Sequence, residues 1–356
     1  MLEALLKKII QANGSDLHLK CGLKPHLRVD GDVVIAGDFE PITDKVIKDE
    51  IFPLLTKKRK EFFDHESYAD FSIERRDLGA RFRGSIYLER GMPAVTLRII
   101  PTQIPTFESL GLPASVLGLT KEQRGMVLVT GPTGSGKSTT LACMIDHINA
   151  NDTCHIITLE DPIEFVHTSK KSLISQRELG EDFMSFPHAL RAALRQDPDV
   201  IMVGELRDLD TIRLALHAAE TGHLVFGTLH TLNAAQTISR MIDMFPPHEQ
   251  TQVRLDLAEL LRGVVAIRLL RKNSGGRIPA SEVMTSTGFI KKLIAENKLS
   301  EINRAIEQGA HYGMQSFLQS LLDIYHKKMA TFEECQAMAT NPDDFATRAR
   351  GISSGT

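Results

Sequence analysis

Residues 131–138 have the composition of a loop that wraps phosphate: Gly131-Pro132-Thr133-Gly134-Ser135-Gly136-Lys137-Ser138, followed by Thr139. The glycines let backbone N–H groups turn towards phosphate oxygens without a Cβ in the way. Lys137 is placed to reach the β and γ phosphates, and the Ser138 hydroxyl to ligate Mg²⁺. The nine residues 131–139 are therefore expected to bind ATP. A glycine-rich turn matching by chance would not also have an apolar strand pattern before it (126–130) and a helical one after it (139–148).

Phosphoryl transfer to water also calls for carboxylates near the metal and the nucleophile. The apolar run 199–203 leads into Gly204-Glu205, with Gly204 where many such ATPases carry Asp. Glu205 is expected to face Mg²⁺ through a water, since this ion keeps several of its waters. A second run, 154–159, leads into Glu160-Asp161-Pro162-Ile163-Glu164. Carboxylates gathered at one place repel unless a cation is shared. Glu164 is the leading candidate to position the attacking water, with Glu160 as its support; whether Glu164 or Glu205 does so stays open, and plain surface carboxylates are the competing reading. His230 falls at the carboxyl end of strand 224–229, where it can sense a γ-phosphate. His223 falls at the other end, either as a structural residue or facing a neighbouring subunit. Arg81, Arg83 and Arg98 lie on two adjacent predicted strands, with Arg81 and Arg83 on one face by the period of two. They form a solvated basic face, or they are cations supplied to a nucleotide across a domain or subunit boundary.

Positioning these groups requires a parallel sheet. Between about 114 and 275, apolar strands (126–130, 154–159, 199–203, 224–229, 264–269) alternate with helices. Strands buried on both faces and joined by helices make a mostly parallel, doubly wound α/β sheet, with ligands at the strands' carboxyl ends. Residues 1–100 read as a separate α+β domain of short strands and few helices, with a hairpin turn at Asp30-Gly31-Asp32. Residues 101–113 carry Pro101, Pro105 and Pro113 and read as a linker, and 276–356 read as helical.

Composition narrows the class. With 42 Lys plus Arg against 45 Asp plus Glu, the formal charge of −3 does not call for nucleic acid or an anionic membrane. No apolar run approaches the ~20 residues of a membrane span, and the charged start MLEALLKKII is no secretory signal. Four scattered cysteines without a CxxC pair fit free thiols in a reducing cytoplasm.

Taken together, these elements resemble the secretion and pilus motor ATPases, most closely the type IV pilus retraction group (PilT/PilU). The resemblance runs over nearly the whole chain. Its residues are GSDLHL at 14–19, RVDG at 28–31, RFR at 81–83, GPTGSGKSTTLA at 131–142, LEDPIEF at 159–165, LRAALRQDPDVIMVGELRD at 190–208 and ETGHLVFGTLHT at 220–231. The last four correspond to the family's Walker A, Asp box, Walker B and His box. The resemblance implies a PAS-like N-terminal domain (1–100), a RecA-like core (114–275), a C-terminal helical region and a homo-hexamer with ATP sites between domains. It also implies that Arg81, Arg83 and Arg98 act in trans, and that rotating domains drive an inner-membrane platform protein from the cytoplasmic face, without direct contact with nucleic acid. Two departures stand out: Gln196 replaces a usual Glu, and the family's AIRNLIRE signature reads FIKKLIAE at 289–296, with Lys291 and Ala295 for its arginines. An accessory, PilU-like subunit working with a paralogous pilus ATPase is therefore an alternative, as is a RecA-type nucleic-acid translocase.

Overall fold

The computed structural model describes residues 1–29, 31–100 and 104–351. Asp30 of the expected hairpin turn and residues 101–103 of the expected linker lie outside these. The chain divides into two compact units, Met1–Gln103 and Ile104–Thr356.

Among the described residues, the first unit is a six-stranded antiparallel sheet with three α-helices: Leu2–Gln11, Asp44–Glu50 and Lys57–Glu66. Its strands are β1 (Asp16–Lys20), β2 (His26–Val29), β3 (Asp32–Ile35), β4 (Tyr68–Arg75), β5 (Ala80–Glu89) and β6 (Met92–Ile100), in the order β3-β2-β1-β6-β5-β4. Leu5, Leu6 and Ile9 recur at helical spacing and are buried with Leu17, Leu19, Phe82 and Leu97. Along β5, Phe82 and Ile86 point inward and Arg81 and Arg83 outward. Arg90 and Gly91, with φ of 55° and 78°, make the tight turn between β5 and β6. β4 was not expected from sequence, although Ala69, Phe71 and Ile73 alternate inward along it.

The second unit holds a seven-stranded sheet in the order β13-β12-β7-β11-β10-β8-β9. Its strands are β7 (Gly125–Thr130), β8 (His155–Glu160), β9 (Leu173–Glu178), β10 (Val200–Val203), β11 (Leu224–Leu229), β12 (Leu261–Arg271) and β13 (Arg277–Thr285). All neighbours are parallel except β13, which runs antiparallel to β12. The apolar runs pack both faces, as the doubly wound reading requires. Met126, Leu128, Ile157, Ile201 and Val225 face one helical layer, while Val127, Val129, Ile156, Met202 and Phe226 face the other. Each such side chain stabilises the fold by roughly 1.5–3 kcal/mol when fully buried.

The reading of 276–356 as helical needs correction, because β13 comes first. Pro279 sits within it, opposite Leu269, and a proline argues against a strand when the sequence is read alone. An edge strand tolerates it. Helices then follow, among them Gly288–Ala295 and Phe317–His326.

Gly84 pairs with Phe71 across β4 and β5, and a Cβ on it would lie 2.3 Å from the Phe71 ring. Gly84→Val is expected to destabilise the protein by about 1–3 kcal/mol through overpacking, seen as a lowered Tm. Adding Phe71→Leu should recover part of that loss.

Candidate active site

The phosphate loop follows β7 at its carboxyl end. Gly131 has φ of 145°, and a Cβ there would lie 2.4 Å from the Ile267 carbonyl oxygen and 2.5 Å from Ser135 Oγ. Gly134 and Gly136 also have positive φ, 77° and 97°. The next helix, Lys137–Asn151, begins two residues earlier than its periodicity suggested. The N–H groups of Lys137, Ser138 and Thr139 therefore belong to its first turn, where no acceptor exists within the helix and the dipole favours an anion. Lys137 Nζ donates to the carbonyls of Gly131 (2.9 Å) and Pro132 (3.0 Å). Burial lowers the pKa of this amine, while Glu205 and Glu164 pull it back up. Among the described residues, the buried hydroxyls of Thr130 and Ser135 have no hydrogen-bond partner. A glycine cradle, orphan donors and a half-buried ammonium fit a chain of phosphates.

Three neighbouring strand ends bring the expected acidic groups and the histidine to the same side of the sheet. Val203 pairs with Leu159 on one side and with Gly227 on the other, so β8 and β10 end within one residue of each other and β11 runs two residues further in the same direction. Glu160 ends β8 and is buried. Burial pushes its pKa up to about 7, against hydrogen bonds from Thr158 Oγ1 (2.7 Å), Gln176 Nε2 (3.1 Å) and the Glu164 N–H (3.4 Å). Glu164, four residues on, is exposed. Glu205 is half-buried and paired at both oxygens: Oε1 lies 3.2 Å from His230 Nε2, and Oε2 lies 2.8 Å from Arg207 Nη2. Burial alone would raise its pKa, but the hydrogen bonds from Arg207 and His230 win and hold it low. Gly204 is closely overlaid, since a Cβ would lie 3.1 Å from the Leu159 carbonyl oxygen. Thr228 fixes the turn by donating its hydroxyl to the Gly204 carbonyl.

The second unit thus gathers residues 131–139 with Glu160, Glu164, Glu205 and His230 at the strands' carboxyl ends. His223 lies at the opposite end, with its ring nitrogen 2.9 Å from the Ala218 carbonyl oxygen. Arg81, Arg83 and Arg98 belong to the first unit, and Arg83 pairs directly with Arg98 across β5 and β6. Arg98 Nε donates to the buried Asp16 at 2.8 Å, Arg83 lies 3.8 Å from Asp70, and Arg81 donates to Ser72 at 3.3 Å. Two partners went unrecognised in the sequence. Arg207 binds Glu205 and lies 3.5 Å from Asp161; its place two residues after Glu205 was the available signal. Gln176 holds Glu160, the Phe165 carbonyl and the His167 N–H, but sits on β9, a strand too polar to be seen.

Comparison with known proteins identifies the family. Residues 90–338 match the family described as Type II/IV secretion system protein. The chain is 45% identical over 341 residues to the type IV pilus retraction ATPase PilT of Pseudomonas aeruginosa, covering 96% of this chain and 98% of that one. It is 37% identical over 343 residues to the type IV pilus ATPase PilU of the same organism, covering 96% and 89%. A crystal structure of the pilus retraction motor PilT with bound ADP superposes with a TM-score of 0.90 at 45% identity, covering 96% of this chain and 97% of that one.

Glu160 binds its proton more tightly folded than unfolded, at about 7 against 4.5. The stability this contributes is complete below the lower value and lost as pH rises through the upper one. Glu160→Gln cannot ionise. Its Tm relative to wild type is expected to rise as the buffer is taken from pH 4.5 past about 7. A difference that stays flat across that window contradicts burial as the dominant influence on Glu160.

Proposed function

Because this chain belongs to the Type II/IV secretion system protein family, we propose that it is an ATP-hydrolysing motor of type IV pilus retraction. One observation carries the chemistry: a lysine of a phosphate loop lies within the field of two carboxylates, Glu164 and Glu205, at the strands' carboxyl ends. ADP bound to the similar motor PilT supports nucleotide as the ligand here.

On this reading the glycine loop and the first helical turn hold the β and γ phosphates. Lys137 gives up its two carbonyl partners for phosphate oxygens, a stronger, charge-assisted pairing. Ser138 and Glu205, the latter through water, would hold Mg²⁺. The ion would neutralise charge on the phosphates. Glu164 is exposed and unencumbered by burial, and it orients the attacking water. Glu160 ties down the backbone of Glu164 and, with burial drawing it towards its neutral form, adds less repulsion than a fully ionised carboxylate. His230 shares Glu205 and so reports the γ-phosphate to the carboxylate. Arg81, Arg83 and Arg98 present a cationic face for a nucleotide held by another copy. A homo-hexamer, turning its domains against an inner-membrane platform protein from the cytoplasmic side, couples turnover to pilin removal. Among the described residues no helix is long and apolar enough to cross a membrane.

One observation favours the accessory reading, in which the chain assists a paralogous motor. The helix Gly288–Ala295 keeps its buried Ile290, Leu293 and Ile294 but carries Lys291 and Ala295 where the family signature has arginines. Lys is no substitute for Arg at a bidentate contact. Against it stand the intact catalytic groups and the higher identity to PilT than to PilU.

Two variants test the chemistry. Lys137→Ala should abolish tight nucleotide binding, measured by fluorescent-nucleotide titration. Glu164→Gln should bind ATP as wild type does and lose turnover by at least about a hundredfold, the scale of a general base. Wild-type turnover in Glu164→Gln contradicts its role and transfers the water to Glu205.

A further inference from the structure

We propose that Glu282 is a positioning residue for His230: a carboxylate on β13 that fixes the loop carrying the histidine and ties it to the C-terminal helices. The proposal rests on the role given to His230 above.

The loop after β11 runs from His230 through Asn233 into the helix Ala234–Asp243. Beyond His230, its own side-chain contacts are local. Leu232 N–H donates to Gln236 Oε1 at 3.3 Å, the hydroxyls of Thr231 and Thr237 lie 2.7 Å apart, and Asn233 caps the Gln236 N–H at 2.8 Å. The first helical N–H, that of Ala234, has no acceptor within the helix, and Ala234 is fully buried. A buried donor without a partner is costly. Glu282, 48 residues away in sequence, supplies the acceptor at 2.8 Å.

Glu282 is itself only 6% exposed, so this bond has little competition from water. Burial raises its pKa to about 6, while the Ala234 N–H and Arg268 draw it down. The strand on either side is clamped to the C-terminal region. Ser281 N–H donates to Ser320 Oγ at 3.1 Å, and Val283 exchanges both backbone hydrogen bonds with Gln315 (2.8 and 3.0 Å). Arg268 is anchored there too, with its guanidinium 3.9 Å from the centre of the Phe317 ring and Nη1 donating to the Met338 carbonyl at 2.6 Å. A continuous series of contacts thus runs from the C-terminal helices through Glu282 and the helix start to His230, whose Nε2 lies 3.2 Å from Glu205. A shift of the C-terminal helices moves the acceptor, and with it the register of His230 against Glu205.

The test is a double-mutant cycle on Mg²⁺-dependent ATPase activity of the full chain, combining Glu282→Leu with His230→Ala. Glu282→Leu is expected to lower kcat about ten- to a hundredfold with KM for ATP little changed, as misplacement of a catalytic group does. In the His230→Ala background it should cost little more, because both act through one residue. Two milder variants serve if Glu282→Leu does not fold. Glu282→Gln keeps the reach and the oxygen acceptor and should recover most of kcat. Glu282→Asp keeps the charge but loses the reach and should not. Wild-type kcat in folded Glu282→Leu, losses that multiply with His230→Ala, or Asp outperforming Gln each overturns the proposal. If His230→Ala alone leaves kcat unchanged, the reading of His230 fails instead.

Discussion

Carboxylates at the ends of neighbouring parallel strands repel one another, and this site exists because each has been given a different environment. Glu160 is buried and drawn towards its neutral form. Glu205 keeps its charge because Arg207 and His230 each hold one of its oxygens. Glu164 stays in water. Lys137 feels Glu205 and Glu164, which favour its protonated form against the effect of burial. Were all three carboxylates equally charged and equally buried, their mutual repulsion would disfavour gathering them beside the phosphate loop.

The sheet depends on this arrangement and in turn enforces it. Parallel pairing brings the ends of β7, β11, β10 and β8 to one side, and the apolar runs between them leave only the strand ends for polar work. Thr228 binding the Gly204 carbonyl and Gln176 spanning Glu160 and the Phe165 carbonyl turn this shared side into fixed distances. The outer strand β13 extends the same logic to a group that no nucleotide would touch.

What was legible in the sequence was what is local. The glycine loop declares itself in eight consecutive residues, and the central strands do so as apolar runs too long for any exposed segment. Glu160 and His230 end or directly follow such a run, and Glu205 and Glu164 come within a few residues of one, so their gathering followed from strand ends. Partners supplied from elsewhere in the chain were not legible. Gln176 sits in a polar strand, β4 and β13 were read as something else or missed, and Pro279 argued actively against the latter. Glu282 looks in sequence like one more carboxylate, since only the fold shows it buried against Ala234. Arg207 falls between these cases, because its spacing from Glu205 was visible but its partner was not. The helix start at Lys137, rather than Thr139, also escaped periodicity, since the first turn of this helix is lysine and hydroxyls rather than apolar residues.

Hydrolysis of ATP by these groups within an assembly of this chain is the proposal to be tested. The direct test is steady-state ATPase activity of the purified protein with its mass in solution read from the same samples. Mg²⁺-dependent turnover by a multi-subunit particle, absent in Lys137→Ala, is the expected result. Tight nucleotide binding with no turnover at any protein concentration, in a particle of full mass, contradicts it and leaves a nucleotide-bound accessory subunit in its place.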